Sequence, residues 1–167
     1  MGNNFRSSYF WISILLLVLT DILFIGTYFH WLDFGTVVGP YRLNHWFSWI
    51  GFLFIGIYVP LFVTLKRRYV TKIRLFLGIH VLGNLLAFLL TSIHFASQIS
   101  RPAQYYPDLG TGLALYVIMP TLVTTGFLQR FNLLSTYRKT LKFLHTSSVI
   151  SLFIIILVHI LQGIKII

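Results

Sequence analysis

The chain has 167 residues, of which 57% are hydrophobic and only 10% are charged, whereas soluble globular proteins have about 25% charged residues. Disordered chains are poor in apolar residues and water-soluble enzymes need more surface charge, so this composition excludes both classes. The absence of cysteine excludes disulfides, iron–sulfur clusters, cysteine-type zinc sites and covalently attached haem c. We therefore expect an integral membrane protein whose metal chemistry would have to come from six histidines.

The formal net charge of +10 does not indicate a nucleic-acid-binding protein. The basic residues lie between long apolar runs, and not along one exposed face with interleaved aromatic residues. A helix that crosses the hydrocarbon core of a bilayer needs about 20 apolar residues. The charged residues divide this chain into five such runs, so we predict an all-α integral membrane protein, a five-helix bundle forming one domain over 1–167. The predicted spans are approximately 8–29, 45–65, 75–98, 109–129 and 143–164.

The basic residues also predict an orientation, because cytoplasmic loops of membrane proteins are enriched in Lys and Arg. The loop between the second and third spans contains five of them, and the loop between the fourth and fifth contains four. The opposite side has only Arg42, Arg101 and Lys165, with Asp33 and Asp108. We predict a cytoplasmic N-terminus and an outside C-terminus, in a bacterial or archaeal cell membrane or an organelle inner membrane.

Four of the six histidines form two pairs with the same spacing. His80 and His94 lie in the third span, His145 and His159 lie in the fifth, and fourteen positions separate the members of each pair. Fourteen helical residues turn to within about 40° of four full turns and rise about 21 Å. Each pair therefore shares a helix face and has one member near each membrane surface. If the two spans face each other, the histidines meet at two depths.

Two histidine pairs at two depths are the ligand pattern of two b-type haems, because a porphyrin leaves one axial position on each side for an imidazole. We predict two non-covalent haem b groups with bis-histidine iron between the third and fifth spans. Residues predicted to contact the porphyrins are Gly83, Asn84, Ala87 and Thr91 on the third span and Ser148 on the fifth. Residues predicted to pair with haem propionates by charge-assisted hydrogen bonds are Arg101, Arg138 and Lys139.

Simpler interpretations are open for individual residues. A lone intramembrane histidine more often bonds a neighbouring helix than a metal, and Gly83 and Ala87 have the spacing of small residues at helix contacts. The repeated histidine spacing favours ligation, since polar groups in hydrocarbon are usually functional. His30 and His45 are either interfacial polar residues or contacts for protons and quinone. Asp21 has a functional and a structural interpretation. It either takes up protons or contacts a partner subunit, or it is simply a hydrogen-bonded carboxyl group.

Two short motifs end at histidines, R-x-x-x-G-x-H at His80 and K-x-L-H at His145. With them, about residues 45 to 162 resemble the ferric-reductase-like transmembrane domain superfamily. Its members include the membrane cores of ferric reductases and NADPH oxidases, and the haem-binding membrane subunit of the bacterial periplasmic methionine sulfoxide reductase system. The similar segments are WIGFLFIGIYVPLFVTLKRR, IRLFLGIHVLGNLLAFLLTSIHF, GTGLALYVIMPTLVTTG and RKTLKFLHTSSVISLFIIILVHI.

The resemblance implies that His80 and His145 bind an inner haem and that His94 and His159 bind an outer one. The chain departs from the family pattern in three respects. The NADPH-oxidase branch has a second histidine spacing one residue shorter, most members have a sixth span, and the reductases and oxidases continue into a flavin- and nicotinamide-binding domain. We find no Gly-rich dinucleotide fingerprint, so we expect no NAD(P)H or flavin domain and no direct oxidation of NADPH by this chain.

The expected function is that of a dihaem b-type membrane cytochrome that carries electrons across the bilayer as a subunit of a larger respiratory redox complex. Its expected partners are membrane lipid and redox subunits, with a quinone as a candidate electron carrier and no nucleic acid. One alternative is a self-sufficient cytochrome that oxidises quinol or reduces metal ions or oxygen. The other is a haem-free structural subunit of a membrane complex.

Overall fold

The structure, a computed structural model, describes residues 2–102, 104 and 110–164, with side chains described from residue 8 onward. Asp108 and Lys165, which entered the charge argument, lie outside the described residues, as does Leu109, where the fourth predicted span begins. Contacts within the chain define two compact units, Met1–Pro102 (unit 1) and Ala103–Ile167 (unit 2).

Long apolar helices make up most of the described residues. They are α1 (Gly2–Tyr28), α2 (Leu43–Arg68), α3 (Ile73–Ile99), α4 (Gly110–Phe131) and α5 (Arg138–Gly163). Each contains a stretch long and apolar enough to cross a membrane, which confirms the prediction of an all-α, multi-pass membrane protein. Helices suit this setting because hydrocarbon offers no partner for backbone N–H and C=O groups, which a helix satisfies internally.

The helices extend past their predicted bounds into basic sequence, as α2 and α5 illustrate. α2 continues through Lys66, Arg67 and Arg68, and α5 begins at Arg138, five residues before the predicted span. The prediction used charged residues as boundaries, but Lys and Arg are good helix formers. At the end of α2 they also favourably face the negative end of the helix dipole. The charges therefore mark the edge of the apolar stretch and not the end of the helix.

The connection between α1 and α2 contains a small antiparallel hairpin that the sequence analysis did not predict. Its strands are β1 (Val37–Val38) and β2 (Tyr41–Arg42). Between them, Gly39 has a φ of 62°, in the left-handed region that glycine adopts without steric cost. Trp46 Nε1 donates a hydrogen bond of 2.8 Å to the Val38 carbonyl oxygen. This bond fixes the hairpin against the first turn of α2.

In unit 1, α3 packs against both α1 and α2. Ser13, Thr20 and Thr27 recur every seven residues on α1 and are at most 3% exposed. Each hydroxyl donates to the carbonyl oxygen four residues earlier. These small residues let α1 approach α3 closely. At the start of α3, a Cβ at Gly78 would lie only 2.7 Å from the Tyr9 hydroxyl oxygen, so α1 and α3 run parallel.

The contact between α2 and α3 depends on two glycines. A Cβ at Gly51 would lie 3.0 Å from the Ala87 carbonyl oxygen and 3.2 Å from Thr91 Cγ2. Further along, the Phe54 ring lies directly over Gly83 and fills the space of a Cβ there. The two helices can therefore approach closely only because neither position carries a side chain.

Unit 2 is an antiparallel hairpin of α4 and α5. The two helices are joined by the short 3₁₀ turn Ser135–Tyr137. Gln129, in the last turns of α4, donates to the Thr125 carbonyl oxygen at 3.2 Å and to the Leu141 carbonyl oxygen at 3.1 Å. This side chain therefore ties the end of α4 to the start of α5.

We predict that Gly51→Ala lowers the free energy of unfolding by about 1–3 kcal/mol, because the added methyl group would overpack the α2–α3 contact. Gly56→Ala is the matched control, since a Cβ at Gly56 would meet only the Phe52 ring at 3.7 Å. The measurement is denaturation of the purified protein in detergent, followed by circular dichroism. Equal effects of the two substitutions would contradict the packing described here.

Candidate functional site

Both histidines of α5 face a threonine of α4. Thr125 Oγ1 lies 3.1 Å from His145 Nδ1, and Thr111 Oγ1 lies 3.0 Å from His159 Nδ1. In each pair the hydroxyl meets the ring nitrogen nearer the backbone. The two imidazoles are therefore held in the same way, about 21 Å apart along α5.

A glycine follows each of these threonines and meets the same imidazole. A Cβ at Gly126 would lie 3.2 Å from His145 Cε1, and a Cβ at Gly112 would lie 3.4 Å from His159 Cε1. Because neither glycine has a side chain, each ring packs close to the α4 backbone. The hydroxyl and this close approach together limit the rotation of each imidazole.

The α4 half of this arrangement was not predicted from the sequence. The dipeptide Thr-Gly occurs at 111–112 and again at 125–126, fourteen residues later. The spacing equals that of the two histidines on α5, and two antiparallel helices with equal repeats bring both pairs into register. A comparison of repeat lengths between neighbouring spans would have found the signal.

His80 on α3 contacts α2 and its own helix. Its ring stacks on Phe62 with 4.4 Å between centroids and 15° between planes. Asn84 Nδ2 lies 3.1 Å from His80 Nδ1 and donates to the His80 carbonyl oxygen at 2.5 Å. The stacking continues along α2 from Phe62 through Tyr58 to Phe54, with centroid distances of 6.4 Å and 5.1 Å. An aromatic column on α2 thus ends at His80.

His94 on α3 has a second histidine beside it. The centroids of the His94 and His45 rings are 5.1 Å apart in an edge-to-face arrangement. His45 Nδ1 lies 2.9 Å from Asn44 Oδ1, and Asn44 Nδ2 donates to Ser97 Oγ at 2.5 Å. Asn44 is completely buried. The sequence left the role of His45 undecided. In the structure, the buried Asn44 amide orients the His45 ring, which lies next to His94.

The three basic residues predicted to bind propionates lie at helix ends. Arg101 follows the end of α3, whereas Arg138 and Lys139 are the exposed first residues of α5. Each arginine is seven positions from the nearest predicted ligand. Partial burial, followed by the nearby charge of Arg42, lowers the pKa of the Arg101 guanidinium.

The small residues of α3 lie against α2. Gly83 is covered by Phe54, the Ala87 carbonyl lies against Gly51, and Thr91 donates to that carbonyl at 2.9 Å. These are contacts of helix packing, one of the two interpretations open from the sequence. A contact with a porphyrin stays a prediction for Gly83, Ala87 and Thr91. It also stays a prediction for Asn84 and for Ser148, which is half-buried on α5.

The remaining polar candidates, His30 and Asp21, belong to unit 1. His30 Nε2 is 3.3 Å from the Ser100 carbonyl oxygen, which links the end of α1 to the end of α3. Asp21 is exposed on α1. Among residues 2–102, 104 and 110–164, no group of three or more His, Cys, Asp or Glu could hold a metal ion. Bis-histidine ligation of a haem uses only two.

Comparison of the chain with models of protein families, with curated proteins and with solved structures found no match. The resemblance to the ferric-reductase-like domain rests on the motifs ending at His80 and His145 and stays a prediction.

We predict that Asn44→Ala destabilises unit 1 by about 1–3 kcal/mol, because it empties a fully buried polar position and leaves the half-buried Ser97 and His45 without their partner. Ser97→Ala should cost less, since it removes only one bond of the Asn44 amide. In denaturant titrations, the double substitution should cost less than the two single costs combined, as expected for residues in one hydrogen-bond network. Additive costs would show that the bond between Asn44 and Ser97 does not contribute.

Proposed function

We propose that the chain is a dihaem b-type membrane cytochrome, in which His80 and His145 ligate one haem iron and His94 and His159 ligate a second. The observation that carries the proposal is the pair of Thr–His contacts on α4 and α5, at 3.1 Å and 3.0 Å. Histidines that bind metals almost always hold their other ring nitrogen in a hydrogen bond of this kind. Nε2 is then the atom that each α5 histidine offers to iron.

The α3 histidines supply the second half of the donor set. Their spacing of fourteen residues equals that of the α5 histidines, which supports ligation at two matched depths. The Asn84 amide near His80 Nδ1 and the His45 ring beside His94 each limit the orientation of the ligand. Imidazole is a donor that suits iron, so the donor set fits bis-histidine haem b.

A bound haem would supply one-electron exchange between Fe(III) and Fe(II). The residues of this chain fix where that exchange happens. The helical rise over fourteen residues sets about 21 Å between the two ligand levels, and apolar side chains such as Leu152, which is 3% exposed, exclude water between them on α5. Arg101, Arg138 and Lys139 would balance propionate charge at the two ends.

We propose further that the protein is a subunit of a larger redox complex and receives electrons from a partner subunit or a quinone. The Lys and Arg residues between α2 and α3, and those at the start of α5, support a cytoplasmic location for these two segments. The N-terminus would then be cytoplasmic and the C-terminus outside, in a bacterial or archaeal cell membrane or an organelle inner membrane. Electrons would cross between the ligand levels, one at a time.

A haem-free structural subunit is the second candidate function. It is favoured by the packing of Gly83, Ala87 and Thr91 against α2, and by the stacking of His80 on Phe62. In this alternative the histidines bond neighbouring side chains and bind no iron. It predicts that substitution of any ligand candidate leaves the absorption spectrum unchanged.

We expect about two haem b groups per purified chain, measured by pyridine haemochrome and by the reduced-minus-oxidised absorption spectrum. His145→Gln and His159→Gln should each reduce this number to about one, because each would remove one of the two histidines proposed to hold that haem. His30→Gln is the control and should keep two, since His30 is not a proposed ligand. A folded chain without haem would refute the cytochrome and leave the structural subunit.

A further inference from the structure

The hydrogen bonds of the Thr125 hydroxyl group determine the tautomer of His145. A hydroxyl group donates one hydrogen, and Thr125 Oγ1 lies 2.7 Å from the Thr121 carbonyl oxygen, which can only accept. The hydroxyl hydrogen is therefore directed to the α4 backbone, and the oxygen faces His145 Nδ1 at 3.1 Å as an acceptor. His145 must then carry its ring hydrogen on Nδ1, which leaves a lone pair on Nε2.

The hydrogen bonds of the Thr111 hydroxyl group give the same tautomer for His159, with a different acceptor. Thr111 Oγ1 lies 2.7 Å from Gln162 Oε1 and 3.0 Å from His159 Nδ1. The hydroxyl donates to the glutamine oxygen, so His159 Nδ1 donates to the hydroxyl. Nε2 of His159 is again the atom with the lone pair.

The two pairs differ in whether this arrangement can reverse. The acceptors of the Thr125 hydroxyl are the backbone carbonyls of Thr121 and Leu122, at 2.7 Å and 3.2 Å. Thr125 is only 5% exposed, and neither carbonyl can become a donor. The acceptor of Thr111 is one end of an exposed side-chain amide, whose other end is a donor. If the Gln162 amide turns over, it donates to Thr111. The Thr111 hydroxyl then donates to His159 Nδ1, and this favours the tautomer of His159 with the ring hydrogen on Nε2.

We propose that Thr125 locks His145 in the metal-ligating tautomer, whereas Gln162, acting through Thr111, sets the tautomer of His159 reversibly. Thr111, Thr125 and Gln162 are positioning residues. The inference rests on the proposed function for the identity of the metal group, but the tautomers are a property of the chain itself. One consequence is unequal retention of the two haems, because in the Nε2–H form of His159 the lone pair is on Nδ1, which faces Thr111, and Nε2 has none for iron.

The direct test is the nitrogen NMR spectrum of the full chain, labelled with ¹⁵N-histidine and purified in detergent without added haem at about pH 8, where free histidine is neutral. Protonated and bare ring nitrogens have well-separated shifts. We expect His145 to be only in the Nδ1–H form. Thr125→Val should release it toward the Nε2–H form that free imidazole side chains prefer, and Thr125→Ser should restore the Nδ1–H form.

Two substitutions of Gln162 form a matched pair, because one introduces a group that only accepts hydrogen bonds and the other a group that only donates them. In Gln162→Glu the carboxylate only accepts, so His159 should keep Nδ1–H. In Gln162→Lys the ammonium only donates, so the ratio of Nε2–H to Nδ1–H should rise about fivefold or more, the change that a hydrogen bond worth about 1 kcal/mol gives. His145 should not respond to either substitution and is the internal control.

Haem content gives the second readout. Gln162→Glu should keep about two haems per chain, and Gln162→Lys should lose the one at the His159 level. The proposal is overturned if the two Gln162 variants give the same His159 tautomer, or if Thr125→Val leaves His145 unchanged. The expected tautomers in a chain that binds no haem would support this inference and refute the proposed function, so the two failures are distinguishable.

Discussion

A hydroxyl group in an apolar helix is stabilised by an acceptor inside the protein, because hydrocarbon provides none. Ser13, Thr20 and Thr27 solve this by donating to carbonyl oxygens of their own helix. Thr125 makes the same local bond but has an imidazole as a second neighbour. The Thr125 oxygen must then accept a hydrogen bond from His145 Nδ1. The bond that satisfies the hydroxyl within its own helix therefore also orients the histidine.

The five helices were predictable because their length and apolar content leave few alternatives, whereas their ends were not. The basic residues that were used as boundaries continue the helices at α2 and α5. The hairpin before α2 depends on the conformation of Gly39 and on a bond from Trp46. Its two-residue strands are too short to leave a periodic pattern, so it could not be predicted.

The candidate site was predictable in part. The repeated spacing singled out four histidines as candidates and predicted their separation along α3 and α5, since this follows from helical geometry alone. The partners of the imidazoles depend on how neighbouring helices are rotated and in which register they pack. For this reason the stacking of His80 on Phe62 and the Asn44–His45 contact beside His94 could not be predicted. The Thr-Gly repeat was visible in the sequence, but its meaning depended on the antiparallel register of α4 and α5.

The shared repeat of fourteen residues also limits how this protein can change length in evolution. The turn after α4 lies outside both repeats, so residues can be added there without moving either Thr–His pair. One residue added between Thr111 and Thr125 would rotate the two ends of α4 by about 100° relative to each other, and only one of the two threonines could still reach its histidine. The length of the loop can therefore vary, whereas the number of residues between the two Thr–His pairs is constrained on α4 and α5 together.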